Sequence, residues 1–123
     1  MLIDSEVWVA ALIRRVDLAG ESAVVVRKGD ARAGAILVKT FDPAAGAFRL
    51  LSAVRVGEDE SRWIEPWPGA DETSLEAHIA RRLKLDPDLW VVEITAKEAG
   101  RFLTEPVERP SPDRLSGAGP ERP

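Results

Sequence analysis

The sequence predicts an α+β domain in the ferredoxin-like split order β-α-β-β-α-β, a four-stranded antiparallel sheet with both helices on one face. Three observations lead there. Asp86-Pro87-Asp88-Leu89-Trp90-Val91-Val92-Glu93-Ile94 sets a helix stop and a turn directly before an alternating strand. The almost wholly apolar residues 7–13 read as an interior strand, and residues 35–41 and 47–54 read as a hairpin around Asp42-Pro43-Ala44-Ala45-Gly46. With 123 residues, 45% hydrophobic and 31% charged, the chain suits one core rather than two.

In the first strand, Val7/Val9/Ala11/Ile13 and Trp8/Ala10/Leu12 could both face packed surfaces. The same residues also fit i,i+4 helical spacing, and the β-branched content favours the strand. Residues 21–28 are ambiguous: three valines argue for a strand, while Arg27-Lys28-Gly29 ends the segment as a helix C-terminus would. A short helix is the expectation, because the topology needs a crossover there. Residues 56–70 have neither period and read as a long loop holding Trp63 and Trp67. A second helix is expected from Thr73, capped by its hydroxyl with Glu76 reaching back, and buried along Leu75, Ile79 and Leu83. Asp86 and Pro87 stop it, and the last strand puts Trp90, Val92 and Ile94 on one face. The compact domain is expected to cover residues 1–104. Residues 105–123, with five of the nine prolines, read as a disordered tail.

A net charge of −4 gives no overall attraction for phosphate backbones, and no basic stripe or glycine-aromatic signature points to nucleic acid. Charge is uneven, with eight basic against six acidic residues up to Gly57 and nine against fifteen beyond. Cysteine is absent, so there is no disulfide framework, thiolate metal site or cysteine nucleophile. The first residues have no basic n-region, and Arg14-Arg15 interrupt the apolar run, so neither export nor a membrane span is expected. A cytoplasmic chain is the default.

Trp8-Val9-Ala10-Ala11, Arg27-Lys28-Gly29-Asp30, Ala33-Gly34-Ala35-Ile36 and Asp86-Pro87-Asp88-Leu89-Trp90-Val91-Val92-Glu93 together resemble a family of small alphaproteobacterial proteins, domain of unknown function 1491. The resemblance covers roughly residues 4–103. It implies a single α+β domain and brings no activity, cofactor or site.

Candidate chemistry is sparse. Asp86 and Asp88 flank Pro87 and could hold a cation, but a structural turn and cap explains them better. His78, the only histidine, lies beside the Leu75 stripe and has no zinc or triad spacing around it. The serines and glycines match neither a nucleophile elbow nor a phosphate loop. No catalytic residue, metal or cofactor is expected. Trp8, Leu12, Trp63 and Trp67 are the candidate interface or ligand contacts, because rigid aromatics anchor partners well. The expected function is a non-enzymatic interaction or self-association module, a homodimer covering the open sheet face at Trp8, Ala10 and Leu12. The alternative is a ligand-binding or enzymatic pocket between the sheet and the Trp63/Trp67 loop, with Arg62 and nearby acids.

Overall fold

The first element is a helix, not a strand. In the computed structural model, which describes residues 4–55, 61–64, 71–105 and 107–108, α1 spans Ser5–Leu18. Trp8, Val9, Leu12 and Val16 are its large buried residues, and their three- and four-residue spacing puts them on one face. Helical period therefore wins over β-branched content. Asp4 gives α1 no side-chain cap, so its first donors are met from a distant loop: Ser5 N donates to Arg32 O at 3.2 Å and Glu6 N to Ala31 O at 2.8 Å. At the other end Glu21 N donates to Val16 O at 3.1 Å and Gly20 N to Asp17 O at 2.9 Å. Gly20, at φ 81°, takes the left-handed position that this closure requires.

The expected crossover helix over residues 21–28 is the strand β1, Ser22–Arg27. It is followed by β2 (Ile36–Asp42), β3 (Ala47–Arg55), β4 (Ser61–Ile64), α2 (Glu72–Leu85), β5 (Trp90–Thr95), a 3-10 turn (Ala99–Phe102) and the two-residue β6 (Val107–Glu108). Part of the span expected as a long loop is thus β4, which holds Trp63; Trp67 lies outside the described residues. The sheet order is β1-β5-β2-β3-β4-β6. It is mixed rather than antiparallel, since β2 pairs with β5 and β4 with β6 in parallel. The β2–β3 hairpin closes as its sequence suggests: Asp42 Oδ1 accepts from Ala44 N at 3.0 Å, and Gly46 turns with φ 64°.

The two helices cover opposite faces, which corrects the expectation of one covered and one open face. On the α1 face, Trp8, Leu12 and Val16 pack with Val38, Leu51 and Trp63. On the α2 face, Leu75 and Ile79 pack with Leu37, Leu50, Leu89 and Val91, and Leu83 lies partly buried beside them. The alternation of β2 explains the division: Ile36 and Val38 point one way and Leu37 the other. Both sides of the central strands are therefore apolar, and each fully buried aliphatic side chain contributes about 1.5–3 kcal/mol.

The helix α2 begins one residue before Thr73. Asp71 is its N-cap, its carboxylate accepting from Ser74 N at 2.8 Å, so the expected Thr73–Glu76 box is replaced by an aspartate cap. The backbone and side-chain hydrogen bonds from Ser74 hold the Asp71 carboxyl below its usual value. Asp86 ends the helix, its N–H donating to Arg82 O at 2.9 Å. Asp86 Oδ1 then accepts from Asp88 N at 3.1 Å, forming a turn around Pro87.

Contacts also run past Thr104, the expected end of the compact domain. Glu105 Oε2 accepts from Trp8 Nε1 at 3.2 Å and its Oε1 from Trp63 Nε1 at 3.0 Å, while β6 pairs with β4. The two indole rings lie 5.3 Å apart, centroid to centroid. Burial alone would raise the Glu105 carboxyl, but the hydrogen bonds, led by that from Trp63, outweigh it and hold its pKa below the ordinary 4.5.

Candidate functional site

The strand β1 departs furthest from a satisfied sheet. In Ser22-Ala23-Val24-Val25-Val26-Arg27 only Ala23 is buried, while Val24, Val25 and Val26 are 51%, 39% and 58% exposed. Among the described residues β1 pairs with β5 alone, so its other edge presents backbone donors and acceptors to the outside. The ladder is regular from Ser22↔Thr95 to Val25↔Val92 and then slips, with Arg27 opposite Val91 and Val26 bulged out.

A hollow lies against each face of this edge. On the α1 side, Val9, Ala10, Ile13, Val25 and Trp90 line a mainly apolar groove of about 280 Å³, with Glu6 and Lys28 at its mouth; these two form an exposed ion pair at 3.4 Å. On the α2 side, Val26, Arg27, Ile79, Ala80, Leu83 and Val91 line a cleft of about 180 Å³ that reaches Lys39, Glu76 and Glu93.

Beside β1 the backbone is held in place by a dense junction. Arg27 donates to Pro87 O at 2.6 Å, Asp30 N to Asp88 O at 2.9 Å, and Trp90 Nε1 to Asp30 O at 2.7 Å. Ser5 Oγ donates to Gly34 O at 2.6 Å. A Cβ at Gly29 or Gly34 would collide with the Asp88 carbonyl, so both positions need glycine for close approach. The sequence blocks around Gly29, Gly34 and Asp86–Trp90 thus meet at one point in space. Their role there is to fix the end of β1 against α1 and β5.

Among the described residues the most buried charge is elsewhere. Lys39, 4% exposed, projects from β2 toward α2 and reaches Glu76 at 2.5 Å, Glu72 at 3.0 Å and Glu93 at 3.7 Å. Burial pulls its pKa down, but the hydrogen bonds to Glu76 and Glu72 and the charge of Glu93 outweigh this and leave it raised. It therefore stays an ammonium ion, a tether between α2 and the sheet rather than a nucleophilic amine. The adjoining cleft, about 180 Å³, is smaller than the roughly 300–1,000 Å³ of small-molecule sites.

The residues singled out from sequence fall in other places. Trp8, Leu12 and Trp63 are 3%, 0% and 0% exposed, so they are core side chains of the α1 face and not a surface for partners. The Trp63 ring is packed against Trp8 and held by Glu105, while Trp67, the other tryptophan of the loop expected to close a pocket over the sheet, lies outside the described residues. Asp86, Pro87 and Asp88 form the turn at the β1 junction. His78 is half-buried on α2, and burial, then the charges of Arg81 and Arg82, push its pKa down so that it is neutral at physiological pH. Among the described residues no group of three or more histidines or acids is placed to hold a metal ion. No described helix is long and apolar enough to cross a membrane. The sequence signal for β1 is its three consecutive valines, and that for Lys39 is a single charge inside Ile36-Leu37-Val38-Lys39-Thr40-Phe41.

These features define a small α+β domain, a mixed sheet between two helices whose edge strand β1 is exposed. The chain belongs to the DUF1491 family, described as a protein of unknown function, whose sequence model matches residues 3–104. It is similar to the crystal structure of a DUF1491 family protein from Caulobacter crescentus CB15, with 50% identity, a TM-score of 0.80, and coverage of 87% of this chain and 100% of that one. An NMR structure of a DUF1491 family protein from Caulobacter crescentus CB15 gives 50% identity and a TM-score of 0.79, covering 88% of this chain and 98% of the other. A solution structure of a protein from A. tumefaciens is 35% identical with a TM-score of 0.75, covering 85% and 95% of the two chains. No curated protein matches the chain.

Proposed function

We propose that this chain is a cytoplasmic, non-enzymatic interaction module that binds protein by strand addition at β1. The observation that supports the reading is the edge itself: Val24, Val25 and Val26 are exposed on a strand paired on one side only among the described residues. Strand addition needs a free backbone ladder together with recesses for the alternating side chains of the incoming strand. The groove beside Val25 and the cleft beside Val26 supply one recess on each face. Exposed edge strands are normally blunted by charge, proline or a covering element. Here charge comes only at the ends, with Glu21 before the strand and Arg27-Lys28 after the valines.

A photoreactive side chain at position 26, compared with one at position 85, tests this. Leu85 is 85% exposed at the end of α2 and serves as an equally accessible apolar control. Irradiation in cells is expected to join protein to position 26 and not to position 85. Equal yields at both positions, or none at 26, would defeat the reading.

A further inference from the structure

We infer that the strand added at β1 is the β1 strand of a second copy of this chain, in an antiparallel pair about a two-fold axis. The inference rests on the interaction reading above and goes further by naming the partner. A two-fold axis perpendicular to the sheet keeps each face on its own side. Val25 of each copy then comes to the α1-side groove, and Val24 and Val26 to the α2 side. The apolar segment thus meets itself, and the recesses on the two faces receive the same kind of side chain that lines them.

Charge supplies the second argument. Read along the chain, the segment is Glu21-Ser22-Ala23-Val24-Val25-Val26-Arg27-Lys28, acidic at one end and basic at the other. Antiparallel pairing brings the acidic end of each copy to the basic end of its neighbour, and parallel pairing would set like charges side by side. The present partners of these ends leave them available: Glu21 meets Arg101 at 3.5 Å and Lys28 meets Glu6 at 3.4 Å, both as solvent-exposed pairs. The chain's own C-terminal residues suit the edge poorly. They follow β6, at the opposite edge of the sheet from β1, and Pro110, Pro112, Pro120 and Pro123 have no backbone N–H to give a ladder.

Sedimentation of the full-length chain over a wide concentration range is the test, with thermal melts to verify that each variant is folded. The parent is expected to dimerise. Val25→Lys, a change at an exposed position, should weaken dimerisation by at least about tenfold, because like charges then face each other near the axis. Glu21→Lys should also weaken it, and adding Lys28→Glu to that variant should restore it. A parent that stays monomeric, a dimer indifferent to Val25→Lys, or a charge swap that restores nothing would each overturn the inference. A monomeric parent that still gives protein adducts at position 26 overturns self-pairing alone. Loss of those adducts defeats the interaction reading as well.

Discussion

Leu12→Lys is expected to abolish the cooperative fold. Leu12 has no exposed surface and lies on α1 among Trp8, Val16 and the α1 face of the sheet. An unpaired ammonium there costs several kcal/mol beyond the lost packing, against a total stability of about 5–15 kcal/mol for a domain. Leu12→Ala, by comparison, should lower stability by about 2–5 kcal/mol and still fold. Far-UV circular dichroism and thermal melts separate the two. A folded Leu12→Lys chain whose assembly alone has changed would restore the open sheet face that the helix α1 now fills.

The second large effect is expected at Trp63. Trp63→Ala removes a fully buried ring from the α1-face core and should cost about 3–5 kcal/mol. Trp63→Phe keeps most of the apolar contact but leaves Glu105 Oε1 without its indole donor, so a loss of about 1–3 kcal/mol is expected from that bond. The two values together divide packing from hydrogen bonding.

The same contact carries a pH dependence. The Glu105 carboxyl titrates lower in the folded chain than its ordinary 4.5, so its contribution is complete above that value. It is lost as the pH falls through the depressed folded value. Glu105→Gln should remove this part of the acid sensitivity while costing stability at neutral pH. Cutting the chain after Thr104 removes Glu105 and β6 and should lower the melting temperature, whereas cutting after Glu108 should leave it unchanged. Equal melting of the two truncations would place the domain boundary at residue 104.

How much of this was legible depends on how local the deciding interaction is. The α2 stripe Leu75, Ile79 and Leu83 could be read because its period is unbroken and its end is marked by Asp86-Pro87. Residues 7–13 read as a strand on their β-branched content and fold as a helix, since two-residue and four-residue spacings coexist there. The decision comes from the sheet that Trp8, Leu12 and Val16 pack against. Residues 21–28 carry the strand signal in their own three valines, and only a topology that starts from a strand over residues 7–13 requires a helix there. Trp63 looked like a free loop anchor because its partner Glu105 is 42 residues away. The charge of Lys39 within an apolar strand, and the spacing of Glu72 and Glu76 on one helix face, were visible separately. Only the fold joins them.

Residue-resolved amide hydrogen exchange tests most directly whether β1 is a working edge. In dilute solution the outward amides of Ser22–Arg27 should exchange fast, alternating with slow inward amides paired to β5. In concentrated solution, or with the protein captured at position 26, the outward amides should become protected while those of α2 keep their rates. Outward β1 amides that exchange equally fast under all these conditions, with new protection arising elsewhere on the surface, would show that β1 is not the binding edge.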